Sequence, residues 1–134
     1  MIIKISKENL DIMKNTFINY DIIINDIKNN PFWKILLYKK NNEIIGFIYY
    51  SEIYERIEIN QFEIKKEYRN CGFGNIFLNE FIKRVNKDIT LEVNINNIAA
   101  IKVYENNGFV KKSIRKGYYK GIDGILMERK KDSI

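Results

Sequence analysis

The sequence predicts a single layered α/β domain in which helices flank a mixed central β-sheet. Segments with strand-like alternation and segments with helical spacing of apolar residues follow one another along all 134 residues. The chain has one proline, and no internal repeat or low-complexity linker marks a boundary. We therefore expect residues 1–134 to form one domain, close to the commonest domain size.

The N-terminal part of the chain predicts a short strand and two helices. A strand is expected at residues 2–5, after which Ser6 can cap a helix that starts at Lys7. A second helix is expected at residues 21–29, because Pro31 follows and cannot continue it. The apolar stripe of the first helix consists of Leu10, Met13, Phe17 and Ile18.

The remaining segments predict six strands and two helices. A hairpin turn at residues 39–43 joins the first two of these strands, and Gly108 ends the last helix. The predicted order is therefore strand, two helices, three strands, helix, strand, helix and two strands. The strands are expected at residues 33–38, 44–51, 56–64, 89–95, 109–115 and 122–128, and the helices at residues 75–86 and 98–107.

Composition excludes several classes of protein. No apolar run approaches the roughly 20 residues that a membrane helix needs, and the N-terminus lacks the features of a secretory signal. We therefore expect a cytoplasmic protein without a membrane partner. Cys71 is the only cysteine and histidine is absent, which excludes an internal disulfide, a histidine-activated nucleophile and most zinc sites. No metal is expected, and the chemistry must use other side chains or the backbone.

The net charge of +6 lies entirely in the second half of the chain. Residues 1–67 contain ten basic and ten acidic residues, whereas residues 68–134 contain thirteen and seven. Such an imbalance suits a polyanionic partner, either nucleic acid or a phosphorylated cofactor. A solvated basic surface explains it equally simply, since the basic residues form no run. No nucleic-acid motif accompanies them, so we expect no direct nucleic-acid partner.

A glycine-rich turn between a predicted strand and a predicted helix is the first motif that indicates chemistry. It reads Arg69-Asn70-Cys71-Gly72-Phe73-Gly74 and leads into Asn75. Glycines allow the backbone to turn tightly and to bring successive N–H groups close to a ligand. Together with the helix N-terminus behind them, these groups suit phosphate oxygens. Taken singly, the motif is also compatible with a turn that binds nothing.

A carboxylate and a phenol form the second candidate site. Glu92 faces the side of its predicted strand opposite to Leu91 and Val93. Tyr104 lies on the following helix and can turn its hydroxyl towards the end of that strand. The pair offers a proton acceptor and a proton donor. Considered separately, Glu92 could be a solvated strand residue and Tyr104 a core aromatic.

Taken together, these residues resemble the GNAT family of acetyltransferases, and within it the RimI type, which acetylates the N-terminal alanine of ribosomal proteins. The resemblance implies the GNAT fold and an enzyme that transfers an acetyl group from acetyl-CoA to an amine. It is carried by Arg69-x-x-Gly72-x-Gly74, Leu91-Glu92-Val93, Asn97-x-x-Ala100-x-x-x-Tyr104-Glu105-x-x-Gly108-Phe109, Arg115-x-x-Tyr118-Tyr119 and Asp123-Gly124-Ile125-x-Met127.

The resemblance also implies roles for individual residues. Glu92 corresponds to the proton acceptor and Tyr104 to the proton donor. Residues 70–75 correspond to the pyrophosphate loop, Arg69 before them is a further cofactor-binding candidate, and Asn97 corresponds to an asparagine that contacts the cofactor. The stretch whose backbone holds the pantetheine arm and polarises the thioester carbonyl corresponds to Phe62, Glu63 and Ile64.

Several alternatives stay open at this point. A protein N-terminus is the expected acceptor, with a small amine such as a polyamine or an aminoglycoside as the alternative. A non-catalytic module that binds acetyl-CoA is a further alternative. Cys71 is expected to fill the loop rather than to act as a nucleophile. Tyr118 and Tyr119 either line the amine site or cover the last hairpin.

Overall fold

A seven-stranded mixed sheet forms the centre of the computed structural model, which describes residues 1–17 and 19–132. The strands are β1 (Ile2–Lys4), β2 (Trp33–Lys40), β3 (Glu43–Ile53), β4 (Arg56–Ile64), β5 (Asp88–Asn94), β6 (Val110–Tyr119) and β7 (Ile122–Arg129). Their order in the sheet is β1-β2-β3-β4-β5-β7-β6. Only the β4–β5 pair is parallel in the described part of the chain. The predicted α/β class and mixed sheet are confirmed.

Helical segments cover both faces of this sheet. The α-helices of the described residues are α1 (Tyr20–Ile27), α2 (Phe73–Val85) and α3 (Ile98–Asn106), and 3₁₀ segments span Lys7–Met13 and Lys66–Tyr68. One apolar core packs between the sheet and the α2–α3 face, around Phe77 and Leu91. A second core lies on the opposite face, around Phe47 and Ile23. Because both faces are covered, β3 is buried along most of its length.

The first helical segment differs from the prediction. It is a 3₁₀ segment rather than an α-helix, and Ser6 does not cap it in the described structure. The reason is local, because Ser6 Oγ instead accepts a hydrogen bond from Asn9 Nδ2 at 3.2 Å. Of the predicted apolar stripe, Leu10, Met13 and Phe17 are buried. Ile18 lies outside the described residues.

Other boundaries shift by a few residues. The turn between β2 and β3 contains only Asn41 and Asn42, both with positive φ (52° and 66°), as two-residue hairpin turns require. α1 ends at Ile27 because the chain continues in 3₁₀-type turns, in which the Asn30 N–H donates to the Ile27 carbonyl. α2 begins at Phe73, so part of the predicted loop is helical, and β6 extends to Tyr119. Gly108, with φ 90°, follows the end of α3 as predicted.

Two absences concern only the part of the chain that the structure describes. Within it, no helix is long and apolar enough to cross a bilayer. No group of three or more Cys, Asp or Glu side chains there could hold a metal ion. The cytoplasmic location and the absence of a metal stay predictions.

β4 and β5 separate after a short parallel stretch, and this separation creates the site. They pair from Arg56 and Asp88 up to Ile59 and Leu91 and no further. At that point Asn60 is an extra residue in β4, because Tyr49 and Tyr50 of β3 lie opposite Gln61 and Ile59. A bulge of this kind bends its strand and increases the local twist. The bent end of β4 therefore leaves β5, and a wedge opens between the two strands.

Candidate active site

The first cleft at this wedge, the loop cleft, has a volume of about 590 Å³. The glycine-rich loop and the first turn of α2 line one side, and α3 lines the other. Phe62 and Ile64, at the end of β4, form its base. The predicted pantetheine-binding stretch and the predicted pyrophosphate loop therefore border one cavity of a size typical of ligand sites.

Backbone donors converge on the loop cleft at the start of α2. Gly72 has φ 85° and occupies the N-cap position, and its carbonyl accepts from the Ile76 N–H at 3.2 Å. The preceding N–H groups of Phe73 and Gly74 have no acceptor within the helix. They lie at the positive end of the helix dipole, which favours anions. These features fit the pyrophosphate of acetyl-CoA, which the Sequence analysis assigned to this loop.

Side chains fix the position of the loop. Arg69 Nε donates to the Ile64 carbonyl at 2.8 Å, which ties the loop to the end of β4. On the far side, Asn75 Oδ1 accepts from Asn107 Nδ2 at 3.0 Å, which links α2 to α3. The Cys71 thiol is exposed, and its contact is with the Arg69 carbonyl. Arg69 and Asn75 thus hold the walls of the cleft, and Cys71 stands outside this framework.

A second cleft, the strand cleft, lies in the wedge between β4 and β5 and has a volume of about 370 Å³. Its polar lining includes Glu63 from β4, Glu92 from β5 and Tyr119 from β6. The two clefts share Phe62, Ala100 and Tyr104. They therefore meet beside Tyr104, and Glu92 lines the strand cleft.

Tyr104 is packed so that its hydroxyl remains protonated. Its side chain is buried, with ring centroids 6.2 Å from Phe62 and 5.6 Å from Phe109. Burial raises the pKa of the Tyr104 phenol, and the neighbouring Tyr119 raises it further. A phenol that is protonated at neutral pH can donate a proton to a developing anion.

Glu92 faces away from the core, as predicted, since Leu91 and Val93 are buried on the other side of β5. Its carboxylate oxygens are themselves buried and have no hydrogen-bond partner among the described residues. The Arg115 guanidinium nevertheless approaches closely, with Nε 2.9 Å from Oε1. The contact is therefore an ion pair without an aligned N–H bond. The sequence does not predict this contact between Arg115 and Glu92, because β7 lies between β5 and β6.

The remaining predicted residues lie in the strand cleft or beside it. Asn97 accepts from the Ala100 N–H at 3.2 Å, so its side chain caps α3, and it lines the strand cleft rather than the loop cleft. Glu63 also lines the strand cleft, where burial raises the pKa of its carboxyl and Arg69 opposes this shift. Tyr119 lines the strand cleft too. Tyr118 packs against the Tyr119 ring, with 4.9 Å between the two ring centroids.

A partly buried polar network holds the bulge that opens the wedge. Ser51 Oγ accepts from Asn60 Nδ2 at 2.9 Å and from Asn30 Nδ2 at 2.8 Å. Asn30 also donates to the Tyr49 hydroxyl, which in turn donates to Asp26. This network connects α1 with the wall of the strand cleft, and the sequence interpretation missed it. Asn60, a polar residue within an alternating β run, was the available signal.

Comparison with known proteins defines the class. Residues 6–109 match the model of the acetyltransferase (GNAT) family. The chain therefore belongs to the GNAT family, whose chemistry is acetyl transfer. Its fold matches the crystal structure of the ribosomal-protein-S18-alanine N-acetyltransferase from Escherichia coli, with a TM-score of 0.85 at 20% identity over 100% of this chain and 95% of that one.

Two further proteins show which acetyltransferases the chain is similar to. A [ribosomal protein bS18]-alanine N-acetyltransferase from Haemophilus influenzae is 33% identical over 99 residues, which cover 69% of this chain and 67% of the relative. A candidate streptothricin acetyltransferase from Bacillus anthracis str. Ames was solved with acetyl coenzyme A. It is 30% identical with a TM-score of 0.64, over 81% of this chain and 68% of that one. The predicted resemblance to the GNAT family and its RimI type is confirmed.

Proposed function

We propose that this chain transfers the acetyl group of acetyl-CoA to the free α-amine of a peptide or protein N-terminus. The observation that supports this most strongly is the meeting of the two clefts at Tyr104. The loop cleft offers backbone N–H groups for the pyrophosphate, with Phe62 and Ile64 beside the path of the pantetheine arm. The strand cleft offers Glu92 for the amine. Donor and acceptor would then approach from different clefts.

Glu92 acts as the proton acceptor in this proposal. Its carboxylate takes a proton from the substrate ammonium, through one water molecule, and the neutral nitrogen attacks the thioester carbonyl. The end of β4 beyond Ile59 is unpaired on the β5 side, so backbone N–H groups near Ile64 are available to the oxyanion. Stabilisation of this kind is worth about 3–4 kcal/mol per donor in enzymes where it has been removed.

Tyr104 completes the reaction. When the tetrahedral intermediate collapses, the carbon–sulfur bond breaks and the electron pair stays on sulfur. The Tyr104 hydroxyl donates its proton to this thiolate, and the extra proton that the acylated nitrogen still carries then restores the phenol. The raised pKa of Tyr104 favours its protonated form before and after this exchange. Proton transfer by a positioned side chain contributes about 10²–10⁴ in rate.

Charge and acidity favour an N-terminal acceptor. An α-amine has an ordinary pKa of about 7.7–8.0, against about 10.4 for a lysine side chain. A single carboxylate therefore deprotonates the α-amine far more readily at neutral pH. The acidic residues that line the strand cleft are Glu63 and Glu92, and Arg115 already balances the charge of Glu92. This lining offers little attraction to a polycation.

A comparison of acceptor classes tests the proposal. The kcat/KM for a peptide with a free N-terminal alanine is measured beside an N-terminally blocked peptide with one lysine, spermidine and an aminoglycoside. The free N-terminus should be the best of the four. If the kcat/KM for spermidine or the aminoglycoside is at least tenfold higher than that for the alanine peptide, the N-terminal assignment is excluded. The result would favour a small amine as the acceptor, as the name of the streptothricin acetyltransferase suggests for that relative.

A further inference from the structure

Arg115 occupies the position beside Glu92 that a cationic acceptor needs. The Arg115 Nε lies 2.9 Å from Glu92 Oε1, and both Glu92 oxygens are shielded from solvent. A substrate ammonium, or the water that relays its proton, must reach the same oxygens. In the described structure a cation of the chain itself therefore already pairs with the carboxylate that the proposed function makes the proton acceptor.

Arg115 and Glu92 share one face of the sheet with Gly124 of β7. Arg115 pairs with Gly124 on β7, and Gly124 pairs with Asn94 on β5. Gly124 therefore places no side chain on this face between Arg115 and β5. A Cβ on Gly124 would come within 3.0 Å of the Tyr119 ring and 3.3 Å of Tyr118 Cβ. Gly124 accordingly leaves room for the Tyr119 ring, which lines the strand cleft.

The contact is also suited to release. The Arg115 side chain is 55% exposed and lies on the edge strand of the sheet. Its guanidinium lies 5.4 Å from the centroid of the Tyr118 ring, a cation–π contact outside the strand cleft. The pair with Glu92 has no aligned hydrogen bond. Arg115 can therefore leave Glu92 and still contact the Tyr118 ring. The cationic acceptor then supplies the positive charge that pairs with Glu92.

We propose that Arg115 is a gate at the proton acceptor, a cation that every amine acceptor must displace from Glu92. This inference rests on the proposed function. Loss of the ion pair costs each acceptor the same free energy, so Arg115 raises the KM of all amine acceptors by a similar factor. A peptide still binds at low concentration, because contacts along its chain add to that of its amine, whereas a simple alkylamine offers only its amine.

Kinetics of Arg115→Gln test the gate. Partly exposed ion pairs are weak, so the KM of the alanine peptide should fall by about two- to fivefold. The KM of acetyl-CoA should stay unchanged, and the KM of a simple alkylamine should fall by a similar factor to that of the peptide. Arg115→Lys retains the cation and should resemble the wild type. Lys116→Gln is the matched control, because Lys116 is an exposed cation of the same strand that pairs with Asp123 instead.

The outcomes separate the two proposals. A raised or unchanged acceptor KM in Arg115→Gln, with the acetyl-CoA KM intact, would overturn the gate and leave N-terminal acetylation standing. If spermidine is the best substrate, the N-terminal assignment falls, yet the gate still predicts a lower spermidine KM in the variant. Calorimetric titration of the alanine peptide adds a readout without turnover. Arg115→Gln should tighten peptide binding in the wild-type background and leave it unchanged in Glu92→Gln, where no carboxylate remains to be covered.

Discussion

The hydroxyl of Tyr104 and the ring that carries it have separable tasks. The ring packs against Phe62 and Phe109 in the core, which is a structural contribution. The residue also lines both the loop cleft and the strand cleft, and in the proposed function its hydroxyl is the proton donor. Removing only the oxygen should therefore leave the fold intact and affect the departure of the thiolate.

Tyr104→Phe should lower kcat by about 10²-fold or more while the affinity for acetyl-CoA changes little. Glu92→Gln should lower kcat to a similar extent, because the amide cannot accept the proton. Both are measured at saturating substrates. Tyr50→Phe is the control, since Tyr50 is buried in the same core and lines neither cleft. Wild-type turnover in both test variants would show that these residues are structural.

Among individual residues, the sequence could predict those whose expected role follows from their spacing along the chain. Glu92 and Tyr104 lie on adjacent elements, and alternation in β5 fixed the direction of Glu92. The approach of Arg115 could not be predicted, because it depends on the register of β5, β6 and β7. Asn97 shows a different difficulty. Its position before a helix is equally that of a cap, and capping is the interaction the structure describes.

In the proposed function the first turn of α2 binds the donor, and a substitution of Gly74 tests this most directly. Gly72 is less suitable, since its φ of 85° would strain any larger residue. A Cβ at Gly74 makes only ordinary contacts, 3.8 Å from Ile64 and 3.9 Å from Phe62. The branches of a valine would extend further into the loop cleft.

Gly74→Val should therefore fold but lose the rise in melting temperature that acetyl-CoA produces. For a ligand at a hundred times its Kd, the lost stabilisation is about 2.7 kcal/mol. The measurement is a thermal melt with and without acetyl-CoA. Cys71→Ser serves as the control in the same loop and should behave as the wild type, because the exposed thiol takes no part in the reaction. An undiminished shift in Gly74→Val would contradict the assignment of this loop.

The elements themselves were predictable to within a few residues, but the wedge between them was not. Alternation of apolar residues identifies β4 and β5 without showing where paired strands separate. That point depends on the bulge at Asn60 and on the network through Ser51 that holds it. Similarly, apolar spacing in the first segment could not distinguish an α-helix from the observed 3₁₀ form. In the 3₁₀ form the Asn9 side chain donates a hydrogen bond to Ser6 Oγ.

Across the whole molecule, the basic second half has several local explanations. Lys112, Arg115 and Lys130 pair with Glu128, Glu92 and Asp88, respectively. Lys102 borders the loop cleft, where a phosphorylated donor would bind. These contacts agree with the prediction of an anionic cosubstrate, and they require no nucleic acid. These ion pairs add nothing to the net charge of +6, whereas Lys102 places positive charge beside the proposed donor site.

The central claim is that acetyl-CoA acetylates an α-amine in the strand cleft. One peptide with both a free N-terminal alanine and an internal lysine tests it most directly. The peptide is incubated with the wild-type protein and acetyl-CoA, and tandem mass spectrometry at low conversion locates the acetyl group. We expect it on the α-amine in at least about tenfold excess, since that amine loses its proton more readily. An acetyl group found mainly on the lysine, or a peptide left unmodified while spermidine is acetylated, would contradict the claim.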